Sequence, residues 1–311
     1  MVKTNVRVFD TMGMAADRLC AEFPDVEFID ASKSAPPDGG EAEVLFGGWD
    51  DAKVLPLLER GVRWIQLPGT GIDGVSAAVL DRVPTVTCAR GASAIPISEY
   101  VLATMLAFEK GFPDFWLREP PATWNFQRMD TLAGKTVGIV GLGGIGMGVA
   151  TRALAFGMTV RALRRTAAAS PIPNVEVVTA LEQLVSGAHH LVIAAPGTDR
   201  TRRMFDATAF AAMTDGVHFV NIARGTIVDQ DALRAALDSG RVARASLDTV
   251  DPEPLPAGHW LYEHPKVFLT PHSSWASRDL VGAAVDIFCV NLGRYLDGDP
   301  LLHVVDVHEG Y

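Results

Sequence analysis

The order of apolar segments in this chain predicts an α/β protein made of two doubly wound parallel-sheet domains, one inserted into the other. Two observations carry this expectation. Short apolar runs alternate with helical patterns through the first hundred residues, and again more strictly from Lys135 to Thr270. A glycine run, Gly141-Leu142-Gly143-Gly144-Ile145-Gly146, stands where an apolar strand gives way to a helix.

In the first domain, strands are expected over 6–9, 26–29, 44–46 and 64–67, with helices over 14–23 and 52–60 between them. The segment 32–40, rich in Ser, Pro and Gly, reads as a solvated connection. After Pro96, Ser98 reads as the N-cap of an apolar helix running through Tyr100 and Leu106. The first boundary is placed there. Strands are then expected over 137–140, 159–162, 191–194, 218–222, 244–247 and 267–269, with several helical stretches ending at Gly157, Gly187 and Gly240. A last helix, about 277–296, leads into an apolar tail that is expected to rejoin the first domain. The division is therefore 1–97 with 297–311 for a discontinuous, flavodoxin-like domain, and 98–296 for a Rossmann domain with linking helices at both ends.

Composition bounds the partners. The 311 residues are 48% hydrophobic, enough for two cores. A net charge of −10 offers no electrostatic footprint for nucleic acid. The apolar stretch 137–150 is broken by glycines and shorter than a bilayer span, and the first residues lack a signal-peptide core, so no membrane is expected and cytoplasmic residence is the default. Cys20, Cys88 and Cys289 are too scattered for a disulfide framework or zinc site and read as buried thiols; no metal is expected.

The glycine run is specific because of its place. It follows Thr136-Val137-Gly138-Ile139-Val140 and opens a helix, as a dinucleotide-binding turn does. Gly141 makes the tight turn, Gly143 admits a pyrophosphate to the backbone, and Gly146 lets the helix pack on the strand. The alternative is a purely structural turn. At the end of the next strand an NAD site normally carries Asp or Glu; here stand Arg164, Arg165 and Thr166. Two guanidinium groups suit the 2′-phosphate of NADP, so NADP is expected and NAD remains possible. The bland reading is a pair of solvated surface arginines.

Arg224, Glu253 and His272 supply the chemistry of carbonyl reduction. Hydride arriving at a keto carbon leaves negative charge on oxygen, which an imidazolium can meet with both a charge and a proton. Glu253 would orient the ring, and the fork of Arg224 matches a carboxylate. Of the other histidines, His189 and His190 read as a polar strand entrance, while His218, His259, His264, His303 and His308 read as surface or interface residues.

Several ordered motifs carry a family resemblance: residues 132–141, Pro196-Gly197-Thr198 through Thr201, Asn221-Ile222-Ala223-Arg224-Gly225-Thr226, Leu247-Asp248 through Pro252-Glu253-Pro254-Leu255-Pro256, and Leu269-Thr270-Pro271-His272. Over nearly its whole length the chain resembles the D-isomer-specific 2-hydroxyacid dehydrogenases. The resemblance implies that Arg224 binds the substrate carboxylate and carbonyl, that His272 is the acid/base and that Glu253 pairs with it. It implies that Gly141, Gly143, Gly144, Ile145, Gly146, Pro196, Ala223 and Asp248 line the cofactor, with Asp248 helping to hold the nicotinamide. Gly69, Thr70 and Gly71, in a loop that continues through Ile72 and Asp73, resemble the family's substrate-carboxylate loop. Related formate dehydrogenases carry an amide where Glu253 stands, which argues against formate.

The substrate side chain stays open among glyoxylate, hydroxypyruvate and larger 2-keto acids. Trp275 either narrows the pocket or covers the interdomain cleft, and Trp49 is either a pocket wall or a core residue. No regulatory domain like that of longer phosphoglycerate dehydrogenases is expected after the last helix. The leading expectation is an NADPH-dependent reductase forming the D-2-hydroxy acid. Its rival is a dinucleotide-sensing interaction protein, like corepressors that resemble this family; such a sensor has no need for all of Arg224, Glu253 and His272. Six aromatics between Phe108 and Phe126 (Phe108, Phe112, Phe115, Trp116, Trp124 and Phe126), with Pro113, Pro120 and Pro121 among them, suggest an arm that makes a homodimer.

Overall fold

A computed structural model describes residues 5–13, 16–33, 36, 40–72, 74–124, 128–307 and 309. Most of the loop 32–40, together with Asp73, Phe126 and His308, lies outside the described residues. Contacts divide the chain into two units, Met1–Ser93 with Ser277–Tyr311, and Ala94–Ala276.

The first unit contains β1 (Arg7–Asp10), α1 (Ala16–Glu22), β2 (Glu27–Asp30), β3 (Val44–Phe46), α2 (Asp51–Leu58), β4 (Trp64–Leu67), α3 (Ala77–Leu80) and β5 (Thr85–Cys88). Its parallel sheet has the order β2-β1-β3-β4-β5, that of a flavodoxin-like doubly wound fold. Every residue of β3 and β4 is buried, as expected of central strands covered on both faces. One face packs Phe9, Leu45, Leu57, Ile65 and Val79, and the other packs Val8, Phe46 and Trp64 against Val285, Phe288 and Leu292.

Those last three residues lie on the final helix, Leu280–Asp297, where Val285, Phe288, Cys289 and Leu292 repeat at the spacing of one helical face. Phe288 stacks on Phe46 with centroids 4.5 Å apart, and the fully buried Asn291 donates to Gln66 Oε1 at 3.0 Å. The helix therefore groups with the first unit, where the sequence had placed it at the end of the second. The tail follows it, with Val305 N donating to Val86 O at 2.8 Å.

The second unit runs through α4 (Ala94–Lys110), β6 (Thr136–Val140), α5 (Gly144–Ala155), β7 (Thr159–Leu163), β8 (Val175–Val178), α6 (Leu181–Val185), β9 (His190–Ile193), α7 (Ala207–Ala211), β10 (Val217–Asn221), α8 (Gln230–Ser239), β11 (Val242–Leu247), α9 (Trp260–Glu263) and β12 (Val267–Leu269). The final helix of the chain is α10. The order β12-β11-β10-β9-β6-β7-β8 is parallel throughout and reverses between β6 and β9, as in a Rossmann sheet.

Several expectations change. Strands β5 and β8 carry weak local signals: the first is half threonine, and the second is an edge strand of Val175-Glu176-Val177-Val178. Thr87 is tolerated in the core because its hydroxyl accepts from Trp64 Nε1 at 2.7 Å and donates to Gln66 Oε1 at 2.8 Å. Ser98 is no N-cap; α4 begins at Ala94, and the buried Ser98 donates its hydroxyl back to Ile95 O. Pro96 fits within the first turn because N–H groups there have no intrahelical acceptor. Cys20 is exposed, since it falls on the outer face of α1, whereas Cys88 and Cys289 are buried. His190 and His218 are fully buried on central strands and do not mark a polar entrance or a surface. Among the described residues, no helix is long and apolar enough to cross a membrane, and no cluster of His, Cys, Asp and Glu is arranged to hold a metal.

Candidate active site

Parallel strands end on one edge of the sheet, so residues that immediately follow them share that edge whatever their separation in sequence. In the second unit, the glycine run follows β6, Arg164 to Thr166 follow β7, Pro196 follows β9, Ala223 and Arg224 follow β10, Asp248 follows β11, and His272 follows β12. The topology thus brings the sequence-predicted residues of this unit to one rim.

The glycine run fits a dinucleotide pyrophosphate. Gly141 lies at φ +92°, and a Cβ there would meet Ala194 O at 2.9 Å. A Cβ on Gly146 would fall 2.0 Å from Gly141 O, so only glycine lets α5 start so close to the turn. At Gly143 a Cβ would meet nothing within 4 Å, which leaves open space beside the backbone. Gly143 is the N-cap of α5 and, having no side chain, makes no side-chain cap to the first-turn N–H groups. First-turn N–H groups, which have no intrahelical acceptor, and the positive end of the helix dipole are found at this turn, the arrangement that binds phosphate. Half-buried Arg164 reaches Ala168 O and Ala169 O at 3.3 and 3.2 Å, bracing the loop after β7, while Arg165 and Thr166 are exposed.

Arg224 is set by its neighbours. The buried Asn221 accepts from Ala223 N at 3.0 Å and donates to Arg224 O at 3.0 Å, closing a tight turn at the end of β10. A Cβ on Gly225 would fall 1.9 Å from the carbonyl carbon of Val250, so this turn packs directly on the loop that leads to Glu253. Asn221 belongs to a quoted motif, yet its orienting role is invisible without the turn.

Glu253 and His272 pair directly, with Oε2 2.7 Å from Nδ1. The other carboxylate oxygen accepts from Val250 N at 2.9 Å, fixing the acid to its own loop. Because Nδ1 is engaged by a carboxylate, Nε2 is the nitrogen left to face a substrate. Both side chains remain over one-third exposed, at 39% for His272 and 35% for Glu253, so a ligand can reach them. Trp275 donates Nε1–H to His272 O at 2.6 Å and keeps its ring 42% exposed. The buried Asp248 carboxylate accepts from Thr270 Oγ1, Ser273 N and Ser274 N.

Gly69, Thr70 and Gly71 lie in the first unit, after β4. Gly69 O accepts from Ala89 N at 2.8 Å, and a Cβ on Gly69 would fall 2.6 Å from the Trp49 indole. Trp49 is therefore no core residue; it lies against this loop with 43% of its surface exposed.

A Rossmann sheet with an uncapped glycine-turn helix and a carboxylate-backed histidine on the same rim defines a nucleotide-dependent oxidoreductase framework. The sequence model for the D-isomer specific 2-hydroxyacid dehydrogenase NAD binding domain matches residues 102–274. Glyoxylate/hydroxypyruvate reductase A of Yersinia enterocolitica is 30% identical over 257 residues, covering 78% of this chain and 80% of that one. The reductase of the same name from Serratia proteamaculans is 32% identical over 218 residues, covering 69% and 68%. Among solved structures, a D-isomer specific 2-hydroxyacid dehydrogenase from Xanthobacter autotrophicus Py2, in complex with NADPH and MES, superposes with a TM-score of 0.85 at 27% identity, covering 99% of this chain and 100% of that one. The chain belongs to the D-isomer specific 2-hydroxyacid dehydrogenase family, and its second unit is the family's NAD(P)-binding Rossmann domain.

Proposed function

We propose that the protein reduces a small 2-keto acid, of the glyoxylate or hydroxypyruvate kind, to the D-2-hydroxy acid with NADPH. The observation that carries this reading is the 2.7 Å pairing of Glu253 with His272 Nδ1 on the same rim as the glycine turn. NADPH supplies the hydride when bound. The N–H groups at the start of α5 hold its pyrophosphate, and Arg164, Arg165 and Thr166 take the 2′-phosphate. Pro196, Ala223 and Asp248 line the remainder of the groove.

Arg224 grips the substrate carboxylate and orients the keto group; Gly69, Thr70 and Gly71 are the proposed substrate-binding residues of the first unit. His272 Nε2 gives its proton to the carbonyl oxygen as charge develops there, while Glu253 stabilises the imidazolium and keeps Nδ1 as a donor to itself. Trp275, tied to His272 O, borders the substrate side chain and favours small acids. The NADPH-containing relative and the two glyoxylate/hydroxypyruvate reductases support cofactor and substrate class. The same reading places the protein in the cytoplasm as a homodimer.

Loss of absorbance at the reduced-nicotinamide band, followed with glyoxylate, hydroxypyruvate and bulkier 2-keto acids against both NADPH and NADH, tests the assignment. Fast turnover of a small 2-keto acid with NADPH is the expected result. Inactivity across the panel would remove the reductase reading, and a preference for NADH would remove the cofactor assignment alone.

A further inference from the structure

Resting on the reductase reading above, we propose that Tyr100 is a positioning residue for His272, acting through Thr270 and Asp248. Tyr100 lies on α4 and Thr270 just after β12, 170 residues apart in sequence, yet Tyr100 Oη and Thr270 Oγ1 are 2.8 Å apart. Thr270 Oγ1 donates to Asp248 Oδ1 at 2.5 Å. The same carboxylate accepts from Ser273 N at 2.9 Å and from Ser274 N at 3.0 Å. One buried acid therefore ties down residues on both sides of His272.

Proton counting sets the direction of the chain. An ionised carboxylate only accepts, so the single hydroxyl hydrogen of Thr270 goes to Asp248. The short contact with Tyr100 must then be donated by the phenol. Burial, reinforced by the nearby Asp248 charge, raises the Tyr100 pKa, so the phenol keeps this hydrogen at working pH.

His272 needs such support because its backbone sits at φ +50°, a left-handed conformation that is uncommon for a non-glycine residue. Conformations of this kind persist only where the surroundings over-determine them. Here His272 N donates to Asp248 O at 2.9 Å and Thr270 O at 3.0 Å, and His272 O accepts from Trp275 Nε1. Asp248 thus holds the His272 loop through both its main chain and its carboxylate, and Tyr100 fixes the hydroxyl that orients the carboxylate. Proton delivery from Nε2 depends on a placement good to a fraction of an ångström, so a small relaxation of this loop is read as a loss of rate.

The test uses Tyr100→Phe, Thr270→Val, their double variant and Thr270→Ser in the full chain, with two readouts. In keto-acid reduction, Tyr100→Phe should lower kcat roughly 3- to 10-fold, about the worth of one hydrogen bond. The Kd for NADPH should not change. The double variant should be no slower than Thr270→Val, because both changes break one chain, and Thr270→Ser should match the parent. In amide hydrogen exchange, the N–H groups of Ser273 and Ser274 should exchange several-fold faster in Tyr100→Phe, with those of β10 unaffected.

Parent-like kcat in Tyr100→Phe, additive losses in the double variant, or unchanged exchange at Ser273 and Ser274 would each overturn the proposal. If the parent protein reduces no 2-keto acid, the reductase reading falls, and the exchange rates still decide whether Tyr100 holds the loop. Should Thr270→Val not fold, Tyr100→Phe decides by itself, since it keeps the ring and loses only the hydroxyl.

Discussion

His190 and His218 face each other through their Nδ1 atoms at 3.1 Å, with both rings fully buried. His190 Nε2 lies 2.9 Å from Glu109 Oε1, and His218 Nε2 lies 2.9 Å from Ser246 Oγ. Burial pushes the Glu109 carboxyl up, but hydrogen bonds from His190 and Lys135 outweigh it and hold the group below its usual range. Glu109 is thus an acceptor, which makes His190 Nε2 a donor and leaves Nδ1 as an acceptor. His218 Nδ1–H must then donate to His190, and Ser246 O–H to His218 Nε2. Each ring is neutral with one tautomer, and a second proton on His190 would set two N–H groups against each other.

This chain predicts a stability that declines in mild acid. Burial is the main cause that lowers the pKa of both His190 and His218 in the folded state. Glu109 opposes the shift at His190, while Arg244, which also lies over the Phe108 ring stacked on His218, adds to it at His218. An unfolded histidine titrates near about 6.5, so below that pH the unfolded chain binds protons that the folded one refuses. Stability contributed by these rings is complete above about pH 6.5 and is lost as pH falls from there towards the depressed folded values. Thermal midpoints measured from pH 8 to 5 should drop through this window, and His218→Gln should flatten the slope. A midpoint constant from pH 7.5 to 5.5 would contradict the tautomer assignment.

Replacing His272 with Ala should cost on the order of 10²–10⁴-fold in kcat, the usual worth of a placed acid/base, with NADPH binding unchanged. Glu253→Gln should cost less, roughly 10- to 100-fold, because a neutral amide replaces a charge-assisted hydrogen bond while the shape is kept. Steady-state kinetics together with a cofactor titration by fluorescence separate the two effects. Equal losses in kcat and cofactor affinity would place His272 in binding instead.

Arg164 and Arg165 should select the cofactor. Neutral replacement of both should raise KM for NADPH far more than for NADH, since only NADPH has the 2′-phosphate. Arg164 also braces the loop at Ala168 and Ala169, so Arg164→Gln and Arg165→Gln are each compared with the double variant. Equal effects on both cofactors would leave the arginines as loop supports.

The aromatic segment after α4 divides in two. Phe108 stacks on the buried His218 with centroids 4.7 Å apart, so it serves the unit's own interior. Trp116 and Trp124 are instead 62% and 69% exposed, and Trp116 rests on Phe112 beside a cavity of about 200 Å³ lined in part by Phe268 and Arg244. A homodimer using this arm should be weakened by Trp116→Ser with Trp124→Ser, read as a lower mass in light scattering at low micromolar concentration. A parent protein of monomer mass would dispose of the arm as an interface.

Local sequence by itself determined the parts whose physics is local. The β6 strand, the glycine turn and the start of α5 were legible because turn chemistry and apolar periodicity act within a dozen residues. The rim that gathers Arg224, Asp248 and His272 was legible too, since parallel strands must end on one edge. Tertiary structure alone decided how buried polar groups find partners. It joined His190 to His218 and Glu109, let Thr87 into a core strand, bound α10 to the first unit through Asn291, and brought Tyr100 to Thr270. Each is a hydrogen bond between distant segments, made because a buried donor or acceptor without a partner costs more than the pairing. No window of neighbouring residues contains both ends of such a bond.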